Sequence, residues 1–196
     1  MEYYYFDIET TGTKFIGSPS LDSDKIILIY LRKITWRGKS LERIQFRIWD
    51  YSNDESKLLE DFRDWIYQRF KKKIKICFIG LNLLFDYLFI ATRLEYHNIM
   101  DGMQFLYDAY DGIFSLDLKN ILVVLNDFKF IGYNCVISSL AKVKARNINI
   151  PKLYEKGKYE EIERYAEEEA EVVLNFYRTL YGKIPKFKQY LLEDIQ

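Results

Sequence analysis

The sequence has little of what several common chemistries require. Its 196 residues include two cysteines, three prolines and a single histidine, His97. Cys77 and Cys135 are far apart and lie in apolar contexts, Ile-Cys-Phe and Asn-Cys-Val. That spacing excludes a zinc site or a redox pair and reads as two buried thiols in a reducing compartment. A serine or cysteine hydrolase is disfavoured, because no Gly-x-Ser-x-Gly elbow occurs and His97 would be its only base. No P-loop is present to cradle a nucleotide phosphate. Net charge is missing as well. Lys+Arg and Asp+Glu both number 29, so no global positive field marks a nucleic-acid binder, and a polyanion would be held by local patches or by metal. No apolar run is long enough to span a bilayer, and the start of the chain lacks the basic and apolar regions of a signal peptide. A soluble, intracellular (cytoplasmic) protein without membrane partners is expected.

What is there is a globular composition, 49% hydrophobic and 30% charged, without repeats or low-complexity tracts. The length fits one compact domain over residues 1–196. Its most informative stretch is Tyr3-Tyr4-Tyr5-Phe6-Asp7-Ile8-Glu9-Thr10-Thr11-Gly12, a run of strand-forming aromatics that carries two acids and breaks at Thr-Thr-Gly. Side chains alternate along a strand, so Asp7 and Glu9 share one face while Phe6 and Ile8 point to the other. Two adjacent carboxylates repel unless a cation lies between them, and oxygen ligands suit Mg²⁺ or Mn²⁺. Taken alone, the pair also fits a half-exposed strand with solvated acids.

Residues 13–24 read as a loop, Lys25–Trp36 and Leu41–Trp49 as strands around an Arg37-Gly38-Lys39 turn, completing a three-stranded antiparallel meander. Asn53 or Asp54 is placed to cap a helix with apolar positions Leu58, Leu59, Phe62, Trp65, Ile66 and Phe70, ending in Lys71-Lys72-Lys73. Lys75–Ile79 reads as a buried strand, Gly80-Leu81-Asn82 as a turn, Leu83–Tyr96 as a helix and Phe114–Leu118 as a further strand. Helices follow near 118–126 and 136–146, then a break around Asn147–Pro151 and a long helix from about Lys158 to Leu180, with a tail from Gly182. The order is that of an α/β mixed sheet, an antiparallel meander plus parallel strands, flanked by helices.

Two further acidic places stand out. Asp86 lies in the first turn of the Leu83–Tyr96 helix, where the helix dipole favours a negative charge; Asn82 before it offers an amide that caps the helix or positions a nucleotide or acid. In Tyr165-Ala166-Glu167-Glu168-Glu169-Ala170-Glu171, Tyr165 and Glu169 share a helical face from which Glu167 and Glu168 diverge. A solvated acidic face is the plainer reading of that helix.

In conjunction, and in this order, Phe6-Asp7-Ile8-Glu9-Thr10-Thr11-Gly12, Gly80-x-Asn82-x-x-Phe85-Asp86 and Tyr165-x-x-x-Glu169-Ala170 resemble the DEDD superfamily of 3′-5′ exonucleases. The resemblance is to its tyrosine-containing DEDDy branch, which includes the proofreading domain of family B DNA polymerases. Ser115-Leu116-Asp117-Leu118 and Ser139-Leu140-Ala141 also look like family landmarks, so the resemblance covers nearly the whole chain. It implies a ribonuclease-H-like fold and metal-dependent 3′-5′ hydrolysis of single-stranded DNA. Asp7, Glu9, Asp86 and Glu169 would hold two divalent ions, Mg²⁺ or Mn²⁺, and Tyr165 would orient the attacking water. Thr10, Asn82 and Phe85 fall at the family's substrate-contacting positions, and Lys142, Lys144 and Arg146 are candidate phosphate contacts. The absence of histidine from the C-terminal helix agrees with the tyrosine branch. One departure stands out: the family's last motif ends in aspartate, and Glu169 is one methylene longer. An RNA 3′ exonuclease, or a catalytically weak nucleic-acid-binding module of a replication or repair complex, are the alternative expectations.

Overall fold

The computed structural model describes residues 1–12, 24–125 and 148–183. Strands β1 (Glu2–Thr10), β2 (Ile26–Ile34), β3 (Ser40–Arg47), β4 (Ile76–Gly80) and β5 (Ile113–Asp117) form one sheet in the order β3-β2-β1-β4-β5. The β1–β2 and β2–β3 pairs are antiparallel, as the meander requires, and β4 and β5 add parallel to β1. Helices α1 (Glu55–Lys71), α2 (Leu83–Tyr96), α3 (Gly102–Gly112), α4 (Leu118–Leu125), α5 (Ile150–Glu155) and α6 (Tyr159–Tyr181) complete the described chain. The loop over 13–23, the helix expected near 136–146 with Ser139, Lys142, Lys144 and Arg146, Cys135, and the tail beyond 183 lie outside the described residues.

Burial on both faces of the sheet explains the near-continuous apolar sequence of β2, buried at every position except Lys33. One face of β1 meets α1 and its neighbours: the Phe6 ring stacks on Phe78 at 4.5 Å and Phe62 at 5.9 Å, and Tyr4 meets Trp65 edge-on at 5.2 Å. The other face is covered by α6, whose fully buried Ala166 and Ala170 allow close approach of the helix. Arg178 and Tyr177 of α6 bond the carbonyls of Gly38 and Trp36 in the β2–β3 turn, where Gly38 takes a φ of 81°.

Several expectations need adjusting. The β3 strand stops at Arg47, and Ile48–Tyr51 forms a 3₁₀ turn before Asp54 caps α1 through the Ser56 N–H. Helix α3, capped by Asp101, was not expected, and the break at 147–151 contains the start of α5, capped by Asn149.

Glu55 is also more than a first-turn acid. It is 3% exposed and accepts the Ile26 N–H of β2 at 2.7 Å, Arg93 Nη2 of α2 at 2.5 Å and His97 Nε2 at 2.9 Å. One carboxylate therefore ties together α1, β2 and α2. Glu55→Ala strands the Arg93 guanidinium and the Ile26 N–H, and is expected to cost about 3–5 kcal/mol in urea unfolding. A loss below about 1 kcal/mol would contradict this role.

Candidate metal centre

The carboxylates converge at the C-terminal half of β1, where it runs past the pairing with β4. Strand alternation puts Tyr5, Asp7 and Glu9 on the face toward α6. A register shift between Glu9 and Thr10, with Glu9 opposite Leu28 and Thr10 opposite Ile26, leaves Ile27 of β2 as the extra residue beside the acids. The turn that follows is tight: Thr10 Oγ1 donates to the Gly12 carbonyl at 2.9 Å, and a Cβ on Gly12 would fall 2.4 Å from the Asp24 carboxyl carbon.

The long helix α6 divides its acids by face. Glu163, Glu167 and Glu171, four residues apart, turn to arginines on the sheet. Glu163 meets Arg47, Glu167 bridges Arg43 at 2.6 Å and Arg32 at 3.2 Å, and Glu171 bridges Arg32 at 2.9 Å and Arg178 at 2.8 Å. The solvated acidic face that composition suggests is thus a ladder that seats the helix. Tyr165 and Glu169 are left facing the site, one helical turn apart and close enough for each to shift the other's pKa.

Asp7, Glu9 and Glu169 each place a carboxylate oxygen within 4.8 Å of the other two. Asp86, buried in the first turn of α2, lies outside that compact group but close enough for its charge to act on Glu9 and for Asp7's to act on it.

All four carboxyls are held above their ordinary range. Burial is the main cause for each; repulsion from Glu169 adds to it at Asp7, and repulsion from Asp7 adds to it at Glu9 and Asp86. The Tyr5 hydroxyl and then the Ile8 N–H partly offset this for Asp7, the backbone N–H groups of Asp86 and Ile8 for Asp86, and the nearby Tyr165 hydroxyl for Glu169. Burial and the Glu169 charge push the Tyr165 phenol up as well, so it stays protonated at neutral pH.

The donor set fits a hard divalent cation. Every donor is an oxygen, no basic side chain among the described residues forms an ion pair with these acids, and Glu9 Oε1 is buried with no hydrogen-bond partner among the described residues.

The remaining expected residues are placed differently. Asn82 occupies the cap position of α2 in a left-handed conformation, φ 62°, but its side chain makes no cap bond. Its Oδ1 accepts Lys119 Nζ at 2.7 Å, and its N–H donates to Asp117 Oδ1 at 2.8 Å. Helix capping is thereby corrected to a turn brace. Phe85 is half-buried, with its ring 5.7 Å from Phe89. Lys119 was missed by sequence reasoning; an acid followed two residues later by a lysine at a strand end carries no distinctive signal.

No family model and no curated protein sequence matches the chain. Solved structures do. A family B DNA polymerase from the hyperthermophilic archaeon Pyrobaculum calidifontis superposes with a TM-score of 0.65 at 19% identity, over 92% of this chain and 24% of the polymerase. The zinc-bound complex of E. coli exonuclease I with single-stranded DNA matches with a TM-score of 0.57 at 14% identity, over 98% of this chain and 43% of the enzyme. The chain shares with these structures a ribonuclease-H-like fold. A moderately thermophilic exonuclease I from Methylocaldum szegediense shares this exonuclease fold, with a TM-score of 0.56 at 11% identity over 98% of this chain and 43% of its own. The chain thus spans less than half of each of these proteins. Among the described residues no helix is long and apolar enough to cross a membrane.

Because the raised carboxyls bind protons more tightly folded than unfolded, their favourable contribution is complete below the ordinary carboxylate range, near pH 4, and is lost as pH rises through their raised values. In EDTA, Glu9→Gln is therefore expected to gain stability over the parent as pH rises from about 5 to 8, read from urea midpoints. A stability difference independent of pH would contradict the repulsive cluster.

Proposed function

We propose that this chain is a metal-dependent 3′-5′ exonuclease domain that shortens single-stranded DNA, in the tyrosine-containing branch of its superfamily. The observation that carries the reading is the convergence of Asp7, Glu9 and Glu169 within 4.8 Å, with Tyr165 and Asp86 close enough to interact electrostatically with them. The fold likeness to exonuclease I structures solved with oligonucleotides supports a nuclease reading and DNA as the strand.

Asp7, Glu9, Asp86 and Glu169 would hold two ions, Mg²⁺ or Mn²⁺, which when bound supply water activation and neutralisation of the leaving 3′ oxygen. The chain's own part is positioning. Tyr165, kept protonated, cannot take the proton of the attacking water at neutral pH, so its hydroxyl would orient that water from beside Glu169. The extra methylene of Glu169 gives the helix the reach to join Asp7 and Glu9. Lys119, steadied by Asn82, brings a cation to the lip of the site, where it would meet the phosphate of the terminal nucleotide. Thr10 and Phe85 would contribute by shape, since their side chains are engaged in the β1 exit turn and beside Phe89.

The test is digestion of 5′-labelled single-stranded DNA and RNA with Mg²⁺, Mn²⁺ or EDTA. The expected result is a metal-dependent ladder shortening from the 3′ end of DNA, abolished by Asp7→Ala or Asp86→Ala, and slowed about 10²-fold by Tyr165→Phe. Undiminished hydrolysis by Asp7→Ala would overturn the assignment. Intact binding without cleavage by the parent would favour a non-catalytic module.

A further inference from the structure

At the opposite end of the sheet, the sequence from Arg69 to Ile76 carries five basic residues and no acid. Arg69 is engaged, bonded to Glu2 at 3.1 Å and lying 3.6 Å over the Trp65 ring. Lys71, Lys72, Lys73 and Lys75 are exposed, and among the described residues none of them forms an ion pair. That sets them apart from Arg32, Arg43, Arg47, Arg93 and Arg178, all of which meet carboxylates.

Their backbone is fixed. The Ile74 N–H returns to the Arg69 carbonyl and the Lys73 N–H to that of Phe70, each at 2.9 Å, closing α1 in a Schellman motif with Lys73 at a φ of 56°. Glycine takes this left-handed position without cost, so a lysine there is held against a small strain. Favourable placement at the helix C-terminus accounts for Lys71 and Lys72 but not for Lys75, which lies beyond the helix.

An exposed ring stands next to Lys75. Phe114 of the edge strand β5 is 52% exposed, paired in register with Cys77, and its ring lies 5.8 Å from Lys75 Nζ. The end of α3 packs on the last turn of α1 so closely that a Cβ on Gly112 would fall 2.6 Å from the Phe70 ring. This brings Tyr110, 88% exposed and two residues earlier, to the same end of the sheet. The acids in this part of α3 are Asp111 and Asp108, the latter bonded to Tyr67 and Gln104.

We propose that Lys71, Lys72, Lys73 and Lys75, with the rings of Phe114 and Tyr110, form a second binding surface for single-stranded nucleic acid. Cationic side chains that track phosphates, interleaved with exposed rings on which bases stack, are the recurring means of holding an unpaired strand. Glu2 lies beside Lys75 and Asp7 is five residues further along β1, so this surface is roughly 17 Å from the carboxylates along the strand. Its use on the same strand that is cut, holding the 5′ portion while the 3′ end reaches the acids, rests on the exonuclease reading. The binding itself does not.

The test is fluorescence anisotropy in EDTA with oligothymidylates of about 4 and about 20 nucleotides, lengths that bracket single-strand site sizes. The proteins are the parent, the Lys71→Gln/Lys72→Gln/Lys73→Gln variant and Phe114→Ala, with folding checked by circular dichroism. The triple variant is expected to lose about tenfold in affinity for the long strand, with its log K against log salt slope shallower by about 2. Phe114→Ala is expected to lose about tenfold with the slope unchanged, and binding of the short strand is expected to be the same in all three. Equal affinity and slope for the long strand in all three proteins would overturn the proposal. So would lysine-dependent capture of polyglutamate without any change for DNA, which would make this an acidic-polypeptide surface. If the parent proves unable to hydrolyse DNA, the same losses in EDTA still support the surface, and only the exonuclease reading fails.

Discussion

Mutual repulsion among carboxylates is the constraint on which the rest of this structure depends. Asp7, Glu9, Asp86 and Glu169 come from three elements distant in sequence, and each is pushed upward in pKa by burial and, for three of them, further by its neighbours. Among the described residues, hydrogen-bond donors offset this burial and repulsion only in part, and no basic side chain pairs with the four acids. The fold must therefore hold the acids in place from outside. It does so with a β2 buried everywhere but Lys33 beside β1, an arginine ladder under α6, and the Glu55 carboxylate joining α1, β2 and α2.

The pieces of this scaffold differ in strength. The Arg43–Glu167 and Arg47–Glu163 pairs of the ladder are partly exposed and contribute about 0–1 kcal/mol each, so they set the rotation of α6 more than its stability, while the pairs of Arg32 rest on a buried guanidinium. Glu55 and Arg93 are sealed from water, and losing either partner leaves a buried charge. Arg93 lies two helical turns after Asp86 and so on the same side of α2. The bond that anchors this helix thereby also fixes where Asp86 stands.

Much of this was legible in the sequence because the elements that position the acids are strongly periodic. The aromatic β1 strand, the apolar β2, the α1 stripe from Leu58 to Phe70 and the Tyr165/Glu169 spacing all announce themselves by local pattern. What stayed hidden depends on partners far along the chain. Glu55 looks like any first-turn acid until Arg93 and His97 fold over it. Glu167 looks solvated until β2 and β3 bring Arg32 and Arg43 beneath it. Asn82 looks like a helix cap, but Lys119 draws its side chain away. Helix α3 was missed because its short sequence mixes glycines, exposed aromatics and acids, with Asp101 as the main local signal.

The most direct test of the central claim is titration of Mn²⁺ into the metal-free protein, followed by calorimetry and by the loss of free-ion electron paramagnetic resonance signal. If the four carboxylates are a cation site, the parent takes up two ions, and Asp7→Asn removes this binding while raising the stability of the metal-free fold. Absence of Mn²⁺ uptake by the parent, or uptake unchanged in Asp7→Asn, would contradict the account.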